Sequence, residues 1–294
     1  RKMMIQISVR VICCALLTGM AAGGTDEDDS RPTAKPSGSP EKAIQRFVDE
    51  CVAITPGKGP YPVKSVIGAI SPTEHESARR EVTVAHKFRI SKFEVTQELY
   101  QAVTNQNPSR WKGPRNSVEN VSWQDAVGFC TRLTTILRGR DLIGADELVR
   151  LPSALEWEYC CRAGTKSNFS FGDDVGSTES DTSILDAHAW HTGNAAGNDP
   201  AVGVLKPNPW GLYDVHGYLW EFVSDELPPR STAGDKRTKE TAAVRIIRGG
   251  SWKNAHPLLS SSAYSTISDQ ATSDAIGFRC VIARQPKPKK PRQR

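Results

Sequence analysis

Arg150-Leu-Pro-Ser-Ala-Leu-Glu-Trp-Glu-Tyr159 is the stretch from which the rest of the chain is read. Ser153 and Glu156 stand three residues apart. At that spacing a serine hydroxyl caps a helix and the acidic side chain returns a bond to the serine amide. A helix therefore opens here and carries Trp157 and Cys161. Its Trp157 ring is expected to enter a core while the Glu158 carboxylate pairs outside it. Upstream, Ser122-Trp-Gln-Asp125 repeats the capping pattern. The helix behind it places Ala126, Phe129, Cys130, Leu133 and Leu137 on one face. Thr96 caps a shorter helix with Leu99, Tyr100 and Val103. Val82-Thr-Val-Ala-His-Lys-Phe-Arg-Ile90 alternates and reads as a strand. The second half holds short apolar pieces between Gly, Asn, Asp and Pro turns. The fold class is α+β, one loop-rich domain with few short helices and short strands.

The chain has 294 residues, enough for one large domain or two small ones. Its net charge of +5 is carried partly by a basic, proline-rich end, residues 284–294, which cannot build a core. No basic folded face accompanies that tail, so no nucleic-acid partner is expected. Arg1, Lys2 and Arg10 precede the apolar run Val11-Ile-Cys-Cys-Ala-Leu-Leu-Thr-Gly-Met20 and the small residues Ala21, Ala22, Gly23 and Gly24. Residues 1–24 read as an export signal, which predicts a secreted or periplasmic protein. The run is shorter than the ~20 residues of a membrane span. An uncleaved N-terminal anchor is the alternative; otherwise no membrane contact is expected. Residues 25–59 read as a disordered linker with a short amphipathic helix (Ile44, Phe47, Val48, Cys51), and the domain is expected over 60–283. Without the signal, Cys51, Cys130, Cys160, Cys161 and Cys280 remain, an odd number. Adjacent Cys160 and Cys161 are too strained to bond to each other.

Several segments in order resemble the sulfatase-modifying-factor (formylglycine-generating-enzyme-like) family. They are Phe93-Glu-Val-Thr-Gln-Glu-Leu-Tyr100, Asn107-Pro-Ser-Arg-Trp111, Val121-Ser-Trp-Gln-Asp-Ala126 and the opening stretch. Asn208-Pro-Trp-Gly-Leu-Tyr-Asp-Val-His-Gly-Tyr-Leu-Trp-Glu-Phe222, Arg248-Gly-Gly-Ser-Trp252 and Gly277-Phe-Arg-Cys280 close the series. The resemblance implies a variant of the C-type-lectin-like fold with antiparallel strands. Family enzymes hold copper on two cysteines beyond the Arg-Gly-Gly-Ser motif and convert a sulfatase cysteine to formylglycine. Counted from Arg248, those positions are Asn254 and Leu259, and no cysteine lies between Cys161 and Cys280. A two-thiolate Cu(I) site needs soft sulfur ligands, so copper and the standard reaction are not expected.

The same segment offers Ser251, Trp252, Asn254 and His256 as a pocket for a peptide or small polar ligand. The alternative is that these residues only close the loop on the core. The resemblance also implies structural calcium held by Asp214, Glu221 and the carbonyls of Gly217 and Leu219, with a weaker second site at Asn194. Such oxygen ligands suit a hard cation. Tyr218 departs from the family there, which usually has Asn. By the same resemblance Cys130 and Cys280 pair in a disulfide, and Cys161 is left buried and unpaired. Asp186, His188 and His191 form a loose set for zinc or iron, with packing histidines the more ordinary reading. Three functions follow as expectations: a calcium-stabilised binding, accessory or divergent protein-modifying domain; an active oxidoreductase on protein cysteine; and a lectin-like ligand-binding module. The sequence sets no oligomeric state.

Overall fold

Ser39 opens the first helix by accepting a bond from the Lys42 amide at 3.4 Å, and Pro40 supplies a preset first turn. The computed structural model describes residues 39–176, 181–196, 199–227 and 243–285. The chain divides into two units, Arg1–Lys35 and Pro36–Arg294. The expected export signal, the linker before Ser39 and tail residues 286–294 lie outside the described residues. Helix α1 (Pro40–Asp49) buries Ala43, Ile44 and Phe47, and β1 (Cys51–Ile54) follows it directly. Both belong to the fold although they precede the expected boundary near Pro60. Their apolar face was legible; the sheet partner that orders them lies far along the chain.

The ribbon β2 (Lys64–Ile67) and β3 (Arg80–Thr83) is antiparallel, and β4 (Phe88–Ser91) enters a different sheet. The alternating stretch expected as one strand is thus two strands. Its alternation persists, with Val84, Phe88 and Ile90 all buried, but the chain bends at His86. Next come α2 (Gln97–Thr104), α3 (Trp123–Gly139), β5 (Glu147–Arg150) and α4 (Ala154–Arg162). Both expected capping boxes form, Ser122 with Asp125 and Ser153 with Glu156. The final strands are β6 (Trp220–Leu227), β7 (Val244–Arg248), β8 (Tyr264–Ser268), β9 (Ile276–Gly277) and β10 (Val281–Arg284). One sheet runs β1-β4-β10-β5, all antiparallel. The other runs β8-β7-β6-β9, with only the β6–β9 pair parallel.

The face of α3 predicted to be apolar is buried against α2 and the segment leading into β10. Tyr100 stacks on Phe129 at 5.4 Å, and Phe278 meets Phe129 edge-on at 5.3 Å. Fully burying one such side chain is worth ~1.5–3 kcal/mol. Cys130 and Cys280, the pair for which a disulfide is expected, face each other in this core with their sulfurs 3.7 Å apart. Cys161 is a free, fully buried thiol whose ionisation burial pushes up to about 12. Glu158 departs from expectation. It is buried, accepting from the Gly68 amide at 2.7 Å and from Arg162 Nε at 2.9 Å, with Arg248 at 3.3 Å. A helix this short, packed on both sides, has no wet face for it.

One ion pair ties these parts together. Glu221 of β6 is 0% exposed and Arg279, between β9 and β10, is 1% exposed. Arg279 donates from Nε and Nη2 to the two carboxylate oxygens at 2.6 and 2.7 Å, and Trp157 Nε1 of α4 donates to the same carboxylate at 2.9 Å. Arg279 also reaches the Tyr213 carbonyl at 2.9 Å. Removing one partner of a buried pair strands the other charge and costs ~3–5 kcal/mol. Arg279→Met should therefore lose about that much in urea unfolding at pH 7. The deficit should shrink at low pH, where protonation removes the stranded charge; a loss that does not change with pH would contradict this account.

Candidate functional site

A cavity of about 260 Å³ opens where four loops meet ahead of β6. Trp111, Trp190, Tyr218 and Trp252 supply its rings, Glu119, Asp199 and Asp274 its carboxylates, and Leu219 part of its apolar wall. Hydrogen bonds fix the loops to one another. Tyr218 N donates to Trp190 O at 3.1 Å, and Trp252 N donates to Tyr218 O at 3.0 Å. Trp252 Nε1 donates to Asp274 O at 3.1 Å, and the Tyr218 hydroxyl donates to Pro200 O at 2.7 Å. Gln97 at the start of α2 holds the Trp111 carbonyl at 2.8 Å. Trp111 and Trp252 meet edge-on, 5.9 Å apart at 80°.

The turn before β6 is built for close approach. Gly217 sits at φ 127°, and an added Cβ would lie 2.3 Å from Trp190 O. Tyr218 follows at φ 80°, in the left-handed region where Gly or Asn is the easy choice. A bulky residue there costs on the order of 1–3 kcal/mol, and such outliers gather at functional sites. The departure from Asn noted in the sequence therefore places an aromatic wall in the cavity.

Of the four expected pocket residues, the structure brings only Trp252 to the cavity. Ser251 is 1% exposed and turns inward: its hydroxyl donates to Asn254 Oδ1 at 2.8 Å, and the Asn254 amide donates to Ser251 O at 2.9 Å. Ser251 and Asn254 thus close a turn on themselves. His256 is exposed and lines a separate groove with Glu76 and Arg162. Leu259 is fully buried, its carbonyl 2.9 Å from His216 Nδ1. Burial lowers His216 to about 4, so its ring is neutral near pH 7. Sequence reasoning missed Trp111, Trp190, Tyr218 and Glu119, which come from three different loops. The count of seven Trp and the oddity at Tyr218 were the available signals.

The metal expectations divide. His191 meets Asp186 at 2.6 Å, while His188 stacks on Phe171 at 4.4 Å. Among the described residues no group of three or more His, Cys, Asp and Glu could hold a metal ion. Asn194 closes its own turn, accepting from the His191 amide at 2.9 Å and donating to Ala189 O at 2.8 Å. For calcium, Glu221 has both oxygens engaged by Arg279. Asp214 differs: Oδ2 accepts from the Gly203 amide at 2.8 Å, and buried Oδ1 has no hydrogen-bond partner among the described residues.

Asp214, Glu221 and Glu94 form a buried acidic cluster with Arg279 beneath the cavity. Glu94 accepts from the Ser117 hydroxyl and from the Leu219 amide, both at the cavity wall. Burial, then repulsion from Glu221 and Asp214, drives the Glu94 carboxyl well above its ordinary value. Burial likewise raises Asp214 to about 6, against bonds from Gly203 and the charge of Arg279.

A family model described as the Sulfatase-modifying factor enzyme 1-like domain matches residues 36–284. The chain is 28% identical over 232 residues to "Chaperone protein LppX" of Paenibacillus barcinonensis, covering 63% of this chain and 76% of that protein. It is 28% identical over 184 residues to the formylglycine-generating enzyme of Bos taurus, covering 59% of this chain but 46% of that enzyme. Among solved structures, Treponema denticola variable protein 1 superposes with a TM-score of 0.62 at 26% identity, covering 80% of this chain and 95% of that one. These likenesses agree with the mixed α+β architecture.

A carboxyl raised on folding makes the protein less stable as pH climbs from its unfolded value to its folded one. For Asp214 that window runs from the ordinary 3.8 to about 6, and the difference corresponds to about 3 kcal/mol at most. Asp214→Asn keeps the Gly203 bond and tolerates the backbone φ of 58°. It should raise stability at pH 7 by about 1–3 kcal/mol and flatten the slope of melting temperature between pH 4 and 6. An unchanged slope would remove Asp214 as its source.

Proposed function

We propose, for a chain that belongs to the Sulfatase-modifying factor enzyme 1-like domain family, that it works as an exported binding or accessory protein through the cavity around Trp252. The observation that carries this reading is the cavity itself: converging rings above an inward-facing carboxylate, Glu119, whose Oε2 has no hydrogen-bond partner among the described residues. Concave, mostly apolar sites with a few converging polar groups are the usual form of ligand sites. The relative named as a chaperone protein supports an accessory role. Export rests on the N-terminal pattern of charge, apolar run and small residues.

The thiolate copper centre of the formylglycine-generating enzymes does not fit this chain. The matching positions hold the turn-forming Asn254 and the core residue Leu259, and no cysteine lies between Cys161 and Cys280. No described cysteine lines the cavity. Formation of formylglycine is therefore the second reading, and a lectin-like role the third. The chain spans about half the length of the formylglycine-generating enzymes it matches, so their whole activity is not carried over. We further propose that any calcium in the turn draws on Asp214 Oδ1 and neighbouring carbonyls, not on Glu221.

Two measurements test these statements. The purified protein with copper and a peptide bearing Cys-x-Pro-x-Arg should give no aldehyde by mass spectrometry above a metal-free control; aldehyde would restore the enzymatic reading. Adding calcium should raise the melting temperature of the wild type at pH 7 but not that of Asp214→Asn, and an equal response of the two would dismiss the Asp214 site.

A further inference from the structure

We infer that the cavity around Trp252 binds a small organic cation, an alkylammonium or guanidinium head with apolar flanks, with Glu119 as its counter-charge and the rings of Trp111, Trp190, Tyr218 and Trp252 around it. The inference rests on the reading of this cavity as the binding site and names the chemistry of its ligand.

Glu119 is only 4% exposed, although its neighbours in sequence are loop residues. Its Oε1 accepts from the Arg110 amide, which fixes the carboxylate in place. Its Oε2 is buried at the cavity wall without a hydrogen-bond partner among the described residues. A buried carboxylate oxygen left unmatched is costly, so a site that keeps one is complete only when a donor arrives. A cationic N–H donor answers both the hydrogen-bond deficit and the charge, whereas a quaternary ammonium, with no N–H, offsets the charge alone.

The remaining charges agree. Asp199 and Asp274 share the lining with Glu119. The chain's own cations at the rim are Arg110 and Lys253. Lys253 pairs with Asp274, and Arg110 lies 3.8 Å from it. Three carboxylates against two basic groups leave the lining one negative charge in excess when all are ionised. That excess disfavours an anion: both bases sit on Asp274, Asp199 is bonded by Asn116 and Tyr218, and of the other two acids only Glu119 keeps an oxygen without a hydrogen-bond partner among the described residues. The rings already accept cations: Arg110 sits 4.8 Å from the Trp111 centroid, and Lys253 Nζ 4.7 Å from the Trp252 centroid. Converging rings beside a carboxylate form the kind of box that takes quaternary ammonium and methylated lysine heads.

Size and the second unmatched group narrow the ligand. The cavity's roughly 260 Å³ lies below the ~300–1,000 Å³ of clefts for drug-sized ligands, so it suits one side chain or a small free molecule. Trp190 Nε1 is buried and lacks an acceptor among the described residues. A ligand with an N–H cation and a carbonyl oxygen near it, such as a basic residue within a peptide, satisfies both; a betaine would satisfy Trp190 and offset the Glu119 charge only.

The affinity should depend on pH in a defined direction. Burial raises the Glu119 carboxyl above its ordinary value, against the backbone amides of Arg110 and Trp111, with Asp274 and Asp199 adding repulsion. Burial raises Asp199 as well, against its bonds from Asn116 and Tyr218. A cation binds the ionised carboxylate, so binding weakens as the pH falls through that raised value.

Calorimetry on the full chain tests the inference with four probes: choline, N-acetyl-trimethyllysine amide, N-acetyl-arginine amide, and 3,3-dimethylbutanol as the neutral isostere of choline. At least one cation should bind ten-fold or more tightly than the isostere and lose affinity as pH is lowered. Glu119→Gln, with its fold checked by circular dichroism, should cut that affinity at least ten-fold. Choline binding alone would point to a free small molecule, and peptide-amide binding alone to a side chain of a partner. Equal binding of the isostere, or no effect of Glu119→Gln, overturns the inference. Cation failure alongside binding of a neutral sugar or peptide that Trp252→Ala abolishes would sink the cation assignment and leave the binding site standing. No response of the pocket indoles to any of these probes would remove both.

Discussion

The Glu221–Arg279 pair is the interaction on which the rest of this structure hangs. It joins β6 of one sheet to the segment that enters β10 of the other, and Trp157 brings α4 to the same carboxylate. Its value is geometric as much as energetic. A planar guanidinium fixes both oxygens of the carboxylate at once, so the two sheets and the helix can meet in only one arrangement. Around it stand two more buried acids, Glu94 and Asp214, and the charge of Arg279 acts on both. Three carboxylates on one guanidinium cannot all be comfortable as anions, which is why burial and mutual repulsion raise Glu94 and Asp214.

That cluster bears directly on the cavity. Glu94 receives the Ser117 hydroxyl and the Leu219 amide, and both residues line the cavity. The floor of the site is thus bonded to the charge network that holds the sheets together. The loops above are tied by backbone bonds through Trp190, Tyr218 and Trp252. Two of its rings are themselves tied, Trp252 to Asp274 O and Tyr218 to Pro200 O, so these are held in place before a ligand arrives, which spares part of the ordering cost of binding.

The positions counted to the family's copper cysteines serve the packing of this chain. Ser251 and Asn254 close a turn, Leu259 fills the core, and Trp252 alone faces the cavity. The membership of the family is plain, but membership fixes the scaffold while chemistry belongs to particular side chains. Here the side chains that could act are aromatic and acidic.

The helices were legible because caps and apolar faces are local: Ser122 with Asp125, Ser153 with Glu156, and the stripe from Ala126 to Leu137 each lie within a few turns of chain. The bend that splits the strand at His86 and the inclusion of α1 and β1 were not, since both follow from strand partners distant in sequence. Trp252 was found because its motif names it. Glu119 carries no local mark, as a loop glutamate is ordinarily solvated, and only the packing of Trp111, Trp190 and Tyr218 around it shows a buried one. The same holds for Glu158 and for Glu221, whose partner 58 residues away in sequence was invisible until the sheets were assembled. The sequence by itself determined the family, the helices and the lack of a cysteine at Asn254 and Leu259. The tertiary structure alone decided which acids are buried, which are paired and which one is left facing a cavity, because burial and pairing are properties of distant segments brought together.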